Sequence, residues 1–308
     1  MATETTETPS ARFGPVTVYF GEKSGKYPDG NQVIVHGGDT VVAFDTPKVS
    51  NRLGAAFDDE VDYFVLGHVH EDHMTGLHRL PKAPVHVHEQ DVEAARSWEG
   101  LSRHFGYPPA VLESFREKLK VEFNYASRPD ALAYQDGAVW VLGGGVRVRA
   151  FHYPGHTAGH CVLLVEPAGI AFIGDIDLST FGPYYGDATS KLADFRRSLA
   201  RLTDVPANVW ITSHHKGVYT DRAAFHDALR AYTARIDERE AVLVERLRVK
   251  PSTLDELATR GFLYPPGRQS PSTHAIERHS IAQHLDELVA AGRAEAPAES
   301  EGAYRLRG

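Results

Sequence analysis

Short apolar runs separated by turn residues open the chain. Val16-Thr17-Val18-Tyr19-Phe20, Gln32-Val33-Ile34-Val35 and Thr40-Val41-Val42-Ala43-Phe44 are β-prone, and Pro28-Asp29-Gly30 and Gly37-Gly38 punctuate them. This pattern predicts an opening β-meander. Val61-Asp62-Tyr63-Phe64-Val65-Leu66 is apolar almost throughout, as in a strand buried on both faces. Residues 89–125 read mainly as helix, and strands return at Ala138-Val139-Trp140-Val141-Leu142 and over residues 146–151. Further runs at Ile170-Ala171-Phe172-Ile173 and Val209-Trp210-Ile211 complete the β-rich part. The texture changes near Thr220. Phe225, Leu229, Tyr232 and Ile236 keep helical spacing and Val242, Leu243 and Leu247 continue it, which predicts a linking helix over 221–250. Ser252 or Thr253 is placed to cap a helix at 254–260, and Ile281, Leu285, Leu288 and Val289 mark another. It ends at Ala290-Ala291-Gly292 and is followed by two short extended pieces, so residues 251–308 are expected to form a winged-helix-like domain.

At 308 residues the chain is long for one domain, and one large unit with a smaller one is the expected division. Its 42% apolar and 24% charged content is that of a soluble globular protein, and no apolar run reaches membrane-spanning length. The first residues lack a basic segment followed by an apolar one. They read as a flexible tail over 1–12 rather than a secretory signal, and a cytoplasmic location is expected. Cys161 is the sole cysteine, which excludes an intrachain disulfide and a thiolate metal cluster, and it is expected to act as a small buried hydrophobe. The net charge of −8 argues against broad contact with nucleic acid.

The chemistry concentrates where strands end. Gly67-His68-Val69-His70-Glu71-Asp72-His73 puts three histidines and two acids into six residues directly after an apolar run. Imidazoles and carboxylates are the ligands that borderline divalent cations prefer. Three later runs end the same way: one leads through Pro154-Gly155 to His156, one through Gly174 to Asp175, and one through Ser213 to His214. Loops at strand ends are where rigid sheets present binding groups. His86 and His88, two apart in one strand, read as ordinary strand positions, and Glu71 as solvent-facing.

The pattern His-x-His-x-Asp-His at 68–73, with His156 inside Pro154-Gly155-His156-Thr157-Ala158-Gly159-His160, then Asp175 and His214, resembles the metallo-β-lactamase-fold hydrolase superfamily over residues 13–220. The C-terminal part resembles the winged-helix extension of some members. The resemblance implies an α/β fold, an αββα sandwich carrying a smaller C-terminal domain. It makes His68, His70 and His156 ligands of one metal, Asp72, His73 and His214 ligands of a second, and Asp175 the bridge. Asp45, closing the run at 40–44, matches a position that supports a ligand from behind. Zinc is the expected metal, with iron or manganese as substitutes, and a metal-bound hydroxide the expected nucleophile. Val69 and Pro47 depart from the usual pattern at positions that are not ligands. Ser213-His214-His215 leaves His215 as an alternative to His214.

Asp72 is further expected to orient the water, and His160 to face the substrate as an oxyanion or proton partner. Tyr184 or Tyr185, in the aromatic segment 177–187, is expected to line the cleft and donate to the scissile carbonyl. The expected reaction is hydrolysis of a small ester, thioester or lactone. An endoribonuclease-like activity and a mononuclear iron sulfur dioxygenase are the alternatives, and a non-enzymatic binding protein is disfavoured by the full ligand set. Against nucleic acid as partner, residues 249–308 hold seven Lys or Arg against eight Asp or Glu, and the helix around Ile276 carries Arg278 alone. The C-terminal domain is therefore read as packing, a lid or a homodimer contact.

Overall fold

The computed structural model describes residues 8–215, 217–268, 270–299 and 302–307. Strands β1 (Ser10–Phe13), β2 (Val16–Tyr19), β3 (Gln32–His36), β4 (Val41–Phe44), β5 (Tyr63–Val65), β6 (Val85–His88) and β7 (Leu132–Tyr134) pair in chain order as one sheet. The first four are antiparallel, as hairpin connections require, and β4 to β7 run parallel. Residues 10–12, expected in the tail, belong instead to β1, where Ala11 and Phe13 face inward and Phe13 packs on the core.

A second sheet has the order β13-β12-β11-β10-β9-β8. Its strands are β8 (Val139–Val141), β9 (Arg147–His152), β10 (Cys161–Glu166), β11 (Ile170–Phe172), β12 (Val209–Ile211) and β13 (Val218–Tyr219), and only β11 and β12 pair in parallel. The two sheets face each other because alternate residues of each are apolar. Val16, Val18, Val33, Val35 and Phe44 meet Val148, Leu163, Val165 and Phe172, with the Phe44 and Phe172 rings 5.7 Å apart. Cys161 sits in this dry layer.

The outward faces of the central strands are apolar too and must be covered. Ile34, Ala43, Phe64, Val85 and Val87 pack under α1 (Lys48–Leu53), α2 (Ala55–Glu60) and the helices that follow β6. The predicted helix over 89–125 is three: α3 (Val92–Arg96), α4 (Trp98–Phe105) and α5 (Pro109–Glu122). Ser97 caps the start of α4 by accepting from Gly100 N at 3.0 Å, left-handed Gly106 ends it, and Pro109 opens α5. On the other side Val162, Leu164, Ala171 and Trp210 pack under α6 (Leu192–Arg201) and α7 (Arg222–Val249), where Trp210 and Phe225 stack at 4.1 Å. The result is the α/β sandwich with layers in the order αββα.

Asp221 caps α7 through Ala224 N at 2.7 Å. Phe225, Leu229, Tyr232, Ile236, Arg239, Leu243 and Leu247 form its buried stripe, while Val242 points outward at 44% exposure. The helix spans both cores: its first half covers the sandwich, and Leu243 and Leu247 join Leu257, Ala258, Ile281 and Leu285 in a small C-terminal core. That core is built from α8 (Leu254–Ala258), α9 (Pro271–Ala290) and a hairpin of β14 (Ala294–Glu295) and β15 (Arg305–Leu306). Thr253 caps α8 in a reciprocal arrangement with Glu256, leaving Ser252 to bridge to Tyr304. Helix, helix and hairpin follow one another as expected, with strands of two residues each.

Buried polar contacts tie this region to the sandwich. Tyr185 Oη lies 2.8 Å from His284 Nε2, Gln283 Nε2 donates to Tyr185 O at 2.9 Å, and Leu192 N donates to Gln283 Oε1 at 2.6 Å. Burial, with Arg196 and Arg239 nearby, pushes His284 down to about 3. The unfolded chain takes up this proton near its ordinary 6.5, and the folded state refuses it down to about 3. Its contribution therefore favours folding above pH 6.5 and is lost as pH falls through that window. Replacing His284→Asn is expected to flatten the acid limb of stability by up to about 1.4 kcal/mol per pH unit. Denaturant titrations between pH 6.5 and 4.5 measure this, and an unchanged slope contradicts it.

Candidate metal centre

The strand ends converge on one edge of the sandwich. Beyond β5, Gly67 is fixed from both sides: its N–H donates to Asp45 Oδ1 and its carbonyl accepts from Cys161 N, both at 2.7 Å. A single 3-10 turn, Glu71–His73, then folds the chain back so that His68, His70, Asp72 and His73 all point into one space. Gly155 precedes His156 at φ 136°, and a Cβ there would lie 2.3 Å from Phe195 Cα. Only glycine brings the chain that close to α6.

Two donor groups result. His68, His70, His156 and Asp175 offer ligand atoms within 4.8 Å of one another, and so do Asp72, His73 and His214. Asp175 lies between the groups. Its Oδ2 is 3.4 Å from His156 Nε2 and 3.9 Å from His68 Nε2, and its Oδ1 is 3.2 Å from His73 Nε2 and 3.5 Å from His214 Nε2. Both ring nitrogens of His68, His73 Nε2 and Asp175 Oδ1 are buried and complete no hydrogen bond. Each such atom costs on the order of 1–3 kcal/mol unless something satisfies it. Inward-facing lone pairs of nitrogen and carboxylate oxygen fit divalent cations.

The outer sides of the rings agree. His73 Nδ1 meets Asp45 Oδ2 at 2.7 Å, His70 Nε2 meets Asp187 Oδ2 at 2.8 Å, His156 Nδ1 meets Tyr184 O at 3.1 Å and His214 Nδ1 meets Gly25 O at 3.0 Å. Anchoring the outer nitrogen fixes the tautomer and aims the inner one, as metal-binding histidines require. Burial holds His68 well below its ordinary value and so neutral. Burial opposes charge on His73 as well, yet Asp175, Asp72 and Asp45 hold it well above 6.5.

The centre forms the floor of a cleft of about 770 Å³. Phe105, Tyr107 and Phe115 form an apolar wall, and Tyr264, Arg268 and Ile276 close the side contributed by the C-terminal region.

The profile of the metallo-beta-lactamase superfamily matches residues 31–225. The chain belongs to this superfamily. Among solved structures, a metallo-beta-lactamase family protein from Thermus thermophilus is similar at 24% identity and a TM-score of 0.70, covering 95% of this chain and 99% of its own. A beta-lactamase domain protein from Burkholderia ambifaria is similar at 16% identity and 0.68, covering 97% and 94%. An archaeal superfamily protein from Sulfolobus tokodaii is similar at 22% and 0.50, covering 67% and 80%. At these identities the likeness establishes the fold alone. No curated protein matches the sequence.

Within this superfamily fold the structure gathers His68, His70, Asp72, His73, His156, Asp175 and His214 and holds Asp45 behind His73. His215 stands aside, left-handed at φ 57° with its Nε2 3.4 Å from Asp177. His86 and His88 lie against Tyr63, Trp140 and His152, outside the centre. Three expectations are corrected. His160 does not face the cleft: it is fully buried, its Nδ1 meets Tyr153 O at 3.2 Å and its Nε2 accepts from Asp175 N at 3.2 Å, so it holds the backbone that presents Asp175. Burial pushes it down to about 3, leaving that nitrogen free to accept. Tyr185 is fully buried toward His284, because the chain alternates there and sends Tyr184 to the cleft instead. Glu71, the first residue of the 3-10 turn, is buried and accepts from Tyr27 Oη at 2.8 Å.

Sequence reasoning missed two acids. Asp91 accepts from Val69 N, Thr157 Oγ1 and Gly159 N at 3.3, 2.6 and 2.8 Å, and so clamps the loops carrying His70 and His156 together. It follows β6, a fifth strand end, and that position was its only signal. Asp187 had none. It accepts from Tyr107 Oη at 2.8 Å and Tyr184 Oη at 3.1 Å while holding His70. Burial opposes its charge, but His70 and Tyr107 keep its carboxyl below the ordinary range. Asp187→Ala is expected to weaken metal retention about 10- to 100-fold. Competition with a chromophoric chelator measures this, and retention equal to the parent contradicts it.

Proposed function

We propose that the protein is a dinuclear metal hydrolase, with zinc the preferred metal, acting on a small ester, thioester or lactone. His68, His70 and His156 hold one cation, Asp72, His73 and His214 the other, and Asp175 lies between them. The observation that carries this reading is that two donor groups share one carboxylate on the floor of an open cleft. Two divalent cations held there would supply a water with its pKa lowered toward about 7 and Lewis-acid polarisation for a carbonyl. The chain's own residues do the rest. Asp72 stands in the cleft floor with its Oδ2 3.1 Å from His214 Nε2, placed to orient a water. The apolar wall of Phe105, Tyr107 and Phe115 takes the acyl or leaving group and excludes solvent. Tyr184 lines the cleft, but its hydroxyl donates to Asp187, so we assign it to holding the His70 support rather than to the scissile carbonyl.

A second reading, cleavage of a phosphodiester, is favoured by Lys26, Lys118 and Arg268, which line the same cleft from three separate segments. Phosphate contacts of this kind make binding salt-dependent. The mononuclear iron dioxygenase is the weaker reading, because the second donor group is complete. No described helix is long and apolar enough to cross a membrane.

Protein purified without added metal is expected to carry about two equivalents of zinc and to hydrolyse thioesters or lactones. Asp72→Ala is expected to lower kcat at least about 100-fold, and Tyr184→Phe to lower it far less. One equivalent of iron with oxygen uptake overturns the hydrolase. Salt-sensitive RNA cleavage that Asp72→Ala abolishes replaces the thioester or lactone by a phosphodiester.

A further inference from the structure

Arg239 is the one charged residue in the buried stripe of α7, 5% exposed between Ile236 and Leu243. Among the described residues no carboxylate lies within 4.0 Å of it. Its guanidinium instead donates to Phe181 O and Pro183 O, and to Tyr185 Oη at 3.2 Å. Burying a charge without a counter-ion costs several kcal/mol, and the fixed fork of an arginine suits several acceptors at once. All three acceptors lie in one loop, residues 177–187.

That loop reaches the metal centre twice. Its Tyr184 carbonyl holds His156 Nδ1, and its Asp187 carboxylate holds His70 Nε2. Two turns back along the same stripe, Tyr232 Oη donates to Asp175 O at 3.1 Å. From behind, His284 and Gln283 of α9 hold Tyr185. His70 and His156 of the first donor group therefore hang on α7 and the C-terminal region, and the shared Asp175 is held by α7 as well. The second is supported elsewhere: His73 by Asp45, and His214 by Gly25 O.

We propose that Arg239 is a positioning residue for the site formed by His68, His70 and His156, so that α7 and the C-terminal domain are part of the metal centre. The proposal rests on the two-cation reading. Without the guanidinium, three acceptors lose their donor and the loop loses its register. Tyr184 O and Asp187 then no longer aim His156 and His70, while the Asp45 and Gly25 supports are untouched.

Zinc affinity of the full chain, read by chelator competition, separates the sites. A His214→Ala background leaves the first donor group whole, and a His156→Ala background leaves the second. Adding Arg239→Met is expected to weaken zinc binding about 10- to 100-fold in the first background and by less than about twofold in the second. Arg239→Lys, which keeps the charge but not the fork, is expected to fall between parent and Met variant in the first background. Equal weakening in both backgrounds, or none in either, overturns the proposal. If Arg239→Met loses its cooperative thermal transition, Tyr185→Phe removes one acceptor and leaves the helix intact. It is expected to shift the first site alone by a smaller factor, and no selective shift overturns the proposal. Failure of both backgrounds to bind zinc overturns it together with the two-cation reading, whereas intact, selective binding without hydrolysis removes only the substrate assignment.

Discussion

The constraint on which the structure depends is the burial of six metal-type side chains around the carboxylate of Asp175. Desolvating so many imidazoles and carboxylates is costly, and the inward atoms that complete no hydrogen bond are the visible part of that cost. Such a cluster persists only if the scaffold holds it rigidly and a cation compensates it. Most of the polar architecture serves the first need. Asp45, Asp187, Tyr184 O and Gly25 O each take the outer nitrogen of one histidine, His160 holds the backbone at Asp175, and Asp91 joins two loops.

The sandwich supplies the rigidity. β4, β5 and β6 run parallel in one sheet and β11 and β12 in the other, so their carboxyl ends open on the same edge. Strands buried on both faces cannot slide without moving an entire apolar set, so the loops at their ends are held in register. Chemistry is placed on loops, and precision comes from the sheets beneath them.

The C-terminal region does two things at once. It closes one side of the cleft with Tyr264, Arg268 and Ile276, and through α7 it braces the loop after Asp175. Glu277, fully buried, accepts the backbone N–H groups of Phe262, Leu263 and Tyr264 and so stiffens the turn that carries Tyr264. One interface thus both walls the cleft and braces the loop beside the candidate metal centre.

The candidate ligand set was legible in the sequence because each of its residues stands just beyond an apolar run, and residue type with strand-end position is a local signal. The layered fold was legible for the same reason, from alternation and run length. What stayed hidden lies across the fold. Asp187 and Arg239 meet His70 and residues 181–185 only after distant segments pack, and neither carries a motif. Arg239 could be suspected only as the charged gap between Ile236 and Leu243. His160 and Tyr185 were misassigned because sequence names a side chain but not the direction it points. The chain by itself determined which metal-type side chains are available and on which strand ends they sit, since composition and periodicity are local. Only the tertiary structure decided which residues aim those atoms and which wall the cleft, because support comes from contacts between segments far apart in sequence.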